Sequence, residues 1–153
     1  MDRAVELIMQ WFPMLATDVG FKVTSPVTRK YNCIAWSLKK NDCWVWPVVP
    51  QEREVDMFWR NSCGYDDRIE TFMSFYHSLG FVETQDERIE DGFDKIALYA
   101  KDGLCTHAAL MLPSGLWTSK LGPYHDIQHS TPAVLEGPVY GTIACYMKKI
   151  QNQ

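Results

Sequence analysis

The sequence predicts an α+β fold in which N-terminal helices pack on an antiparallel sheet of four to five strands. Three observations support this fold class: helical spacing dominates the first half of the chain, alternating or apolar runs follow Phe81, and Gly, Asp and Pro separate most of those runs. The 153 residues are expected to form a single domain, 1–153, because a chain of this length can bury a core without disulfide bonds.

Helical elements are predicted from spacing and caps. Apolar residues recur at Val5, Ile8, Met9 and Phe12, so residues 2–12 are expected to form a helix that ends at Pro13. A segment broken by Pro26 leads to a short helix at Cys33, which Asn32 can cap. Residues 43–59, CWVWPVVPQEREVDMFW, are expected to be irregular, and residues 68–79, RIETFMSFYHSL, form a further helix before Gly80.

Strands are predicted at FVET, DKIALYA, LCTHAALML, LWTSKLG and YGTIACYMKKI, with LPSGL as a tight connection between the third and fourth. Because side chains alternate along a strand, His107, Ala109 and Met111 are expected to share one face of the third strand. That face would pack on the Cys33 helix.

Composition excludes several classes of function. The net charge is −4 and the basic residues are scattered, which argues against a nucleic-acid surface. No apolar run approaches the ~18 residues of a membrane span, and no secretory signal is visible at the start. The five cysteines do not form a disulfide pattern. We therefore expect free thiols in the cytoplasm, or export without an N-terminal signal, and no cofactor.

The strongest chemical hypothesis is a cysteine-dependent hydrolase. Cys33 begins a helix, where the helix dipole favours the thiolate, and His107 is the natural imidazole partner for it. Asp126 is predicted to orient the imidazole, because a carboxylate does this better than a hydroxyl. His129 and Ser119 are held in reserve, and strand geometry favours Ser119.

The surroundings of Cys33 supply the other predicted roles. Its own backbone N–H would stabilise an oxyanion, with the Asn32 side chain or the Tyr31 hydroxyl in support. The tryptophan-rich segment, with Trp44 and Trp46, is expected to form a wall of the cleft and to contact substrate.

A zinc site is the competing hypothesis. Cys105 and His107 are expected on the same strand face, and His125 and His129 have an H-x₃-H spacing. The chain lacks the paired C-x₂₋₄-C cysteines of structural zinc sites, so no metal is predicted.

The order of a cysteine helix, a histidine strand and a polar strand resembles the papain-like superfamily, in particular NlpC/P60-type cysteine peptidases. A more specific resemblance is to uncharacterised bacterial proteins grouped as a domain of unknown function, which carry strings similar to YNCIAW, KIALYA, THAA, SKLG and DIQH. The papain-like resemblance implies a papain-like, NlpC/P60-like fold. The second resemblance joins Cys33, His107, Lys120, Asp126 and His129 into one set. Two roles are open for Lys120: a contact for a substrate carboxylate, or an ion pair with an acidic neighbour on the surface.

The sequence therefore predicts a small hydrolase that acts on an amide bond by peptidase, amidase or deamidase chemistry. Its substrate would be a peptide, a peptidoglycan fragment or a protein, and a bacterial effector or toxin would fit. The alternative is a non-catalytic module, such as an immunity or adaptor protein, that binds a protein partner through Trp44, Trp46 and Trp59.

Overall fold

The structure, a computed structural model, describes residues 2–151, so the first residue and the last two of the predicted domain lie outside the described residues. Three α-helices and nine strands form within this range. The helices are α1 (Arg3–Trp11), α2 (Cys33–Ser37) and α3 (Ile69–Ser78). The strands are β1 (Lys22–Val23), β2 (Trp44–Val45), β3 (Met57–Phe58), β4 (Val82–Thr84), β5 (Phe93–Lys101), β6 (Leu104–Met111), β7 (Trp117–Lys120), β8 (Asp126–His129) and β9 (Thr142–Ile150).

Seven of these strands form one antiparallel sheet in the order β1-β8-β7-β6-β5-β9-β4. The C-terminal strand β9 lies between β5 and β4, where Met147 faces Ile96 on one side and Glu83 on the other. β2 and β3 form a separate parallel pair. All five predicted strands are present, but the sheet also recruits β1 and β8, which are too short to reveal their alternation in the sequence.

The predicted fold class, with helices packed on a papain-like, NlpC/P60-like sheet of four to five strands, is wrong. The described chain is mostly antiparallel sheet, and its helices contain only five to ten residues each. They also lie on both sides of the sheet: α2 and α3 cover one face, and α1 covers the other. The reason is that strands account for most of the apolar positions after residue 80.

Each face of the sheet has its own apolar core. The first core lies between the sheet and α2 and α3, and it includes Ile34, Phe72, Tyr76, Leu98 and Ala108. The second core lies under α1 and two short 3₁₀ helices at residues 13–17 and 132–135, and it includes Ile8, Leu15, Tyr99, Trp117 and Ile127. We call these sides the α2 face and the α1 face.

A β-bulge changes the alternation of β6. Tyr99 pairs with His107 and Ala100 pairs with Cys105, so Thr106 has no counterpart on β5. The bulge gives β6 one residue more than β5 at this point. The side chains on the two sides of the bulge therefore do not follow the alternation of a regular strand. Cys105 belongs to the α2-face core, whereas His107 packs against Tyr99 on the α1 face.

The sheet opens between β6 and β7. These strands are paired at Leu110–Thr118 and Met111–Trp117, and within the described chain no further pair joins them. Residues 104–109 of β6 and residues 119–122 therefore border an opening, which we call the seam. The N-terminus of α2 packs over it, since α2 contacts both β6 and β7.

None of the helices between residues 2 and 151 has the length and apolar character that crossing a membrane requires.

Candidate functional site

Asn32 sets the position of Cys33. Its Oδ1 accepts hydrogen bonds from the backbone N–H groups of Ala35 and Val45, both at 3.1 Å, and its Nδ2 donates to the Val45 carbonyl at 2.9 Å. Asn32 therefore caps α2, as predicted, and also ties it to β2. One N–H of the side-chain amide is used in this way and the other is left for the predicted oxyanion contact, which stays a prediction.

Cys33 is the first residue of α2, and its thiol is buried at the seam with 6% of the residue exposed. Burial raises the pKa of the Cys33 thiol to about 11, although backbone N–H groups of Ala108, Ile34 and Cys33 itself, and the charge of Lys120, lower it in part. Desolvation outweighs the helix terminus, so the thiol is protonated at neutral pH. This corrects the expectation of a thiolate favoured by the helix dipole.

His107 begins a chain of buried hydrogen bonds on the α1 face. Its Nε2 lies 2.9 Å from Ser119 Oγ, and Ser119 Oγ lies 2.8 Å from Nε2 of His129. Nδ1 of His129 lies 2.8 Å from the Thr131 carbonyl oxygen. The ring of His107 also stacks on Tyr140, with 4.1 Å between centroids and 4° between planes. We call His107, Ser119, His129 and Thr131 the histidine chain.

The histidine chain determines which nitrogen of His107 carries hydrogen. Burial lowers the pKa of His107 well below its usual value and that of His129 to about 4, so both rings are neutral at pH 7. The Thr131 carbonyl only accepts, so His129 Nδ1–H donates to it and Nε2 of His129 accepts the Ser119 O–H. Ser119 Oγ then accepts from His107 Nε2–H, which leaves His107 Nδ1 as the nitrogen without hydrogen.

Nδ1 of His107 is also buried and makes no hydrogen bond with any described residue. The Ala108 backbone N–H interacts with the Cys33 sulfur, and this N–H belongs to the peptide bond that follows His107. No hydrogen bond between the thiol and the imidazole is formed. The seam thus brings the thiol beside the His107–Ala108 peptide although the two side chains belong to opposite faces of the sheet.

Asp126 lies in a different network from His107. It pairs with Lys120 on the α2 face, whereas Ser119 pairs with Ile127 on the α1 face. The Tyr31 hydroxyl donates to Asp126 Oδ2 at 2.7 Å, and the Asp126 backbone N–H donates to Ser25 Oγ at 2.8 Å. The structure therefore brings the reserve residues Ser119 and His129, and not Asp126, to the imidazole chain.

The electrostatics of this second network follow from its burial. Burial raises the pKa of Asp126, although Tyr31 and Lys120 lower it in part. Burial, with the carboxylate of Asp126, raises the pKa of Tyr31 to about 12. The Tyr31 hydroxyl is engaged by the carboxylate and is not available as the predicted oxyanion donor.

Lys120 is fully buried and acts as a clamp between loops. Its ammonium donates to the carbonyl oxygens of Thr28, Gly122 and Tyr124, and it lies 5.0 Å from the centroid of the Tyr31 ring. These bonds use all three of its N–H donors. Lys120 therefore has no donor left for the predicted contact with a substrate carboxylate.

A cavity of about 330 Å³ opens above Cys33. We call it the Cys33 cavity, and it is lined by Asn32, Cys33, Trp44, Trp46, Met57, Thr106 and Gly122. Trp46 is held by Phe72, with ring centroids 5.0 Å apart. The structure thus brings both predicted substrate-contact tryptophans to the thiol, and their contact with substrate remains a prediction.

The residues of the zinc hypothesis do not converge. The bulge at Thr106 separates Cys105 from His107, which were expected on the same face. His129 is occupied by the histidine chain. Within residues 2–151 no group of three or more histidine, cysteine or carboxylate side chains could hold a metal ion.

Sequence analysis missed two members of the site. Tyr140, which stacks on the imidazole, precedes β9, and Thr131 contributes only its backbone carbonyl. A carbonyl has no signature in side-chain chemistry. The position of Tyr140 depends on β9 entering the sheet beside β5, which residue spacing does not reveal.

Comparison with known proteins gives one family match. The model of a family described as "Domain of unknown function (DUF7689)" matches residues 22–148, a range that includes all the site residues from Tyr31 to Tyr140. No curated protein and no solved structure matches the chain.

Proposed function

The chain belongs to the DUF7689 family, a domain of unknown function, and from its seam site we propose that it is a small cysteine hydrolase acting on an amide bond. Cys33 is the nucleophile and His107 is the general base and acid. Ser119 orients the imidazole in place of Asp126. Peptidase, amidase and deamidase reactions all fit this apparatus, since they differ only in the amine that leaves.

One observation carries the proposal: the imidazole of His107 is bonded at Nε2 and bare at Nδ1, and the buried Cys33 thiol lies against the peptide bond that follows His107. A cysteine hydrolase needs a thiol, an imidazole nitrogen that can take its proton, and a group that holds the ring in the correct tautomer. The histidine chain supplies the third requirement through Ser119. The Cys33 cavity supplies a place for the substrate next to the sulfur.

The reaction follows from these positions. The Cys33 sulfur attacks the amide carbonyl carbon while His107 Nδ1 takes the thiol proton, and the negative charge moves to the carbonyl oxygen. The backbone N–H of Cys33 stabilises that oxygen. His107 gives the proton to the departing amine, which leaves a thioester on Cys33. Water then hydrolyses the thioester, so one amide and one water become a carboxylic acid and an amine, or ammonia in a deamidation.

The thiol and the imidazole are both neutral before substrate binds, because burial disfavours the charged form of each. Proton transfer therefore accompanies the attack on the carbonyl. This distinguishes the site from one with a preformed thiolate. Its reactivity depends on His107 and not on a low pKa of Cys33.

Alkylation by iodoacetamide at pH 7, mapped by mass spectrometry, tests this dependence. Cys145 is a matched control because burial also raises the pKa of its thiol to about 11, yet it is more exposed than Cys33. We expect Cys33 to react faster than Cys145 by on the order of tenfold or more, because the proposed function gives a general base to Cys33 and not to Cys145. His107→Gln should remove the difference. Equal rates for the two cysteines in the native protein would contradict the hydrolase.

The alternative function is a non-catalytic module that binds a protein partner, and the protonated, buried thiol favours it. In this case Cys33 is a core residue and Trp44 and Trp46 are a contact surface. Trp59 does not fit the predicted surface, because it is buried and stacked on Phe75 with 4.1 Å between ring centroids. Inertness of Cys33 to iodoacetamide until the protein unfolds would support this alternative.

A further inference from the structure

Two further cavities flank the Cys33 cavity. One, of about 260 Å³, is apolar and is bordered by Trp11, Phe12, Tyr124, Val139 and Tyr140. The other, of about 560 Å³, is bordered by charged side chains of both signs, including Arg29, Lys30, Glu52, Glu54 and Asp56. The buried thiol thus lies between an apolar and a charged recess.

The apolar recess joins the Cys33 cavity at Gly122, which borders both. Gly122 has no side chain to divide them, and a Cβ placed there would meet no atom within 4 Å. Thr106 borders the Cys33 cavity and Tyr140 borders the apolar recess. The Thr106 hydroxyl donates a hydrogen bond to the Tyr140 carbonyl, so the walls of the two cavities are in contact. The two cavities therefore adjoin at Gly122.

The charged recess joins the Cys33 cavity along Trp44 and Met57, which border both. Trp44 is fixed there because its indole N–H donates to the Arg29 carbonyl. The three cavities therefore form one groove with Cys33 near its middle. It runs from Tyr124 and Val139 to Arg29 and Glu52.

The walls of the groove carry apolar side chains that are exposed to solvent. Tyr124 and Val139 are each 44% exposed in the apolar recess, and Val55 is 89% exposed in the charged recess. Exposed apolar surface beside a cavity is typical of a ligand site.

From this geometry we propose that the groove binds an extended polypeptide, so that the amide attacked by Cys33 is an internal one. The proposal rests on the hydrolase function and names its substrate class. A small amide would occupy the Cys33 cavity and leave both recesses empty. A polypeptide places an apolar side chain against Tyr124 and Val139 and polar or charged side chains among Arg29, Lys30 and Glu52. Recesses of opposite character on the two sides of the thiol fit the side chains on the two sides of one amide.

A peptide mixture made by digesting a whole proteome, incubated with the native protein or with Cys33→Ala, tests the substrate class. Mass spectrometry then locates new termini and converted Asn or Gln side chains. We expect changes that depend on Cys33, that lie at internal positions, and that have a large apolar residue within about three positions on one side. A blocked single amino-acid amide serves as the small-substrate comparison.

Variants in the apolar recess make the test specific to the groove. Tyr124→Ala and Val139→Ser should lower the rate on the preferred peptides about tenfold more than they lower the rate on the blocked amide. Val82→Ser is the matched control, since Val82 is 49% exposed on the edge strand β4, away from the groove. It should change neither rate.

The outcomes separate the two proposals. Changes confined to the blocked amide or to peptide ends, or equal loss on both substrates in the Tyr124 and Val139 variants, would overturn the groove and leave the hydrolase standing. An absence of any Cys33-dependent change, together with equal alkylation of Cys33 and Cys145, would overturn both.

Discussion

At the scale of single residues, the site combines a buried thiol with a buried base and keeps both uncharged. A protonated thiol reacts slowly with oxidants and alkylating agents unless a base takes its proton, since the thiolate is the reactive form. The imidazole beside it is held in one tautomer by a serine whose own hydroxyl is held by a second histidine. In the proposed hydrolase, reactivity is therefore reserved for a molecule that occupies the Cys33 cavity.

Ser119→Ala separates the role of the histidine chain from ordinary core packing. It leaves His107 Nε2–H and His129 Nε2 without partners, which should cost about 2 kcal/mol in the free energy of unfolding. It should also release the His107 tautomer and slow Cys33 alkylation. Urea denaturation, ¹⁵N NMR of the imidazole nitrogens and the alkylation rate measure these three effects.

Ser37→Ala is the control for this prediction. Ser37 is also buried, and its hydroxyl is bonded to the Ile34 carbonyl and the Tyr76 hydroxyl, outside the histidine chain. We expect a similar loss of stability with no change in the His107 tautomer. Unchanged alkylation in Ser119→Ala would show that Ser119 is structural only.

Residue chemistry singled out Cys33 and His107, whose catalytic roles stay predictions, and it placed Asp126 rather than Ser119 next to the imidazole, unlike the structure. Asp126 is the better orienting group in chemistry alone, whereas Ser119 was favoured by strand geometry. The register of β7 and β8 decides between them, because it puts Ser119 opposite Ile127 and Asp126 opposite Lys120. Register depends on pairing across the sheet, which one strand's sequence does not contain.

At the scale of elements, α2 is too short to be stable by itself, because isolated helices of fewer than ~12 residues are marginal in water. Asn32 stabilises it from outside by three hydrogen bonds, two of them to Val45. The position of the Cys33 thiol over the seam therefore depends on one buried amide.

Asn32→Ala should destabilise the protein by about 2 kcal/mol or more, since it removes a helix cap and leaves the Val45 backbone groups unpaired in the core. Asp2→Ala is the control, because Asp2 caps α1 by one exposed hydrogen bond to Ala4 and should cost about 1 kcal/mol or less. Thermal unfolding and urea denaturation measure both. Equal costs for the two variants would contradict the role of Asn32 as a link between α2 and β2.

Element prediction succeeded where a segment was long and failed where tertiary contacts define it. Alternation located β5, β6 and β9, each of eight or nine residues. β8 was not predicted although it is as long as β7, because its pairing with β7 and β1 defines it, and the two residues of β1 show no period at all. The bulge at Thr106 left no sequence signal, yet it decides which face His107 occupies.

At the scale of the whole molecule, the sheet is a middle layer with a core on each face. The face that each helix covers was not predicted, because nothing in the period of α1 states which side of the sheet it covers. The second core buries His107 and His129 completely. Placing two neutral imidazoles inside this core links the stability of the entire fold to pH.

We expect stability to fall as the pH drops from about 6.5 to about 4. The folded pKa of His129 is lowered to about 4, below the ~6.5 of an unfolded histidine, so the unfolded state binds the proton first. The contribution of His129 to stability is therefore fully present above about pH 7. Its titration lowers the free energy of unfolding by about 3 kcal/mol across that range. His107, whose pKa is also lowered, adds to the loss. The raised pKa of Asp126 acts in the opposite direction.

Urea denaturation between pH 7.5 and 4.5 measures this slope. His129→Gln should reduce this dependence of stability on pH, because it removes the titrating imidazole. Asp18, whose charge favours the protonated form of His129, is unchanged in this variant. The control is His125→Gln, since His125 lies in the loop before β8 and is only partly buried. A stability that is constant from pH 7.5 to 4.5 would contradict the neutral, buried state of the histidine chain.

The central position of β9 has a consequence for biosynthesis. A ribosome makes the chain from the N-terminus, yet β4 and β5 meet only through a strand that ends at Ile150. While the earlier strands emerge, the edge of β5 that will receive β9 stays open, and so does the edge of β4. The nascent chain therefore cannot close its sheet before residue 150 has left the exit tunnel, and until then these edges are sites where a chaperone can bind.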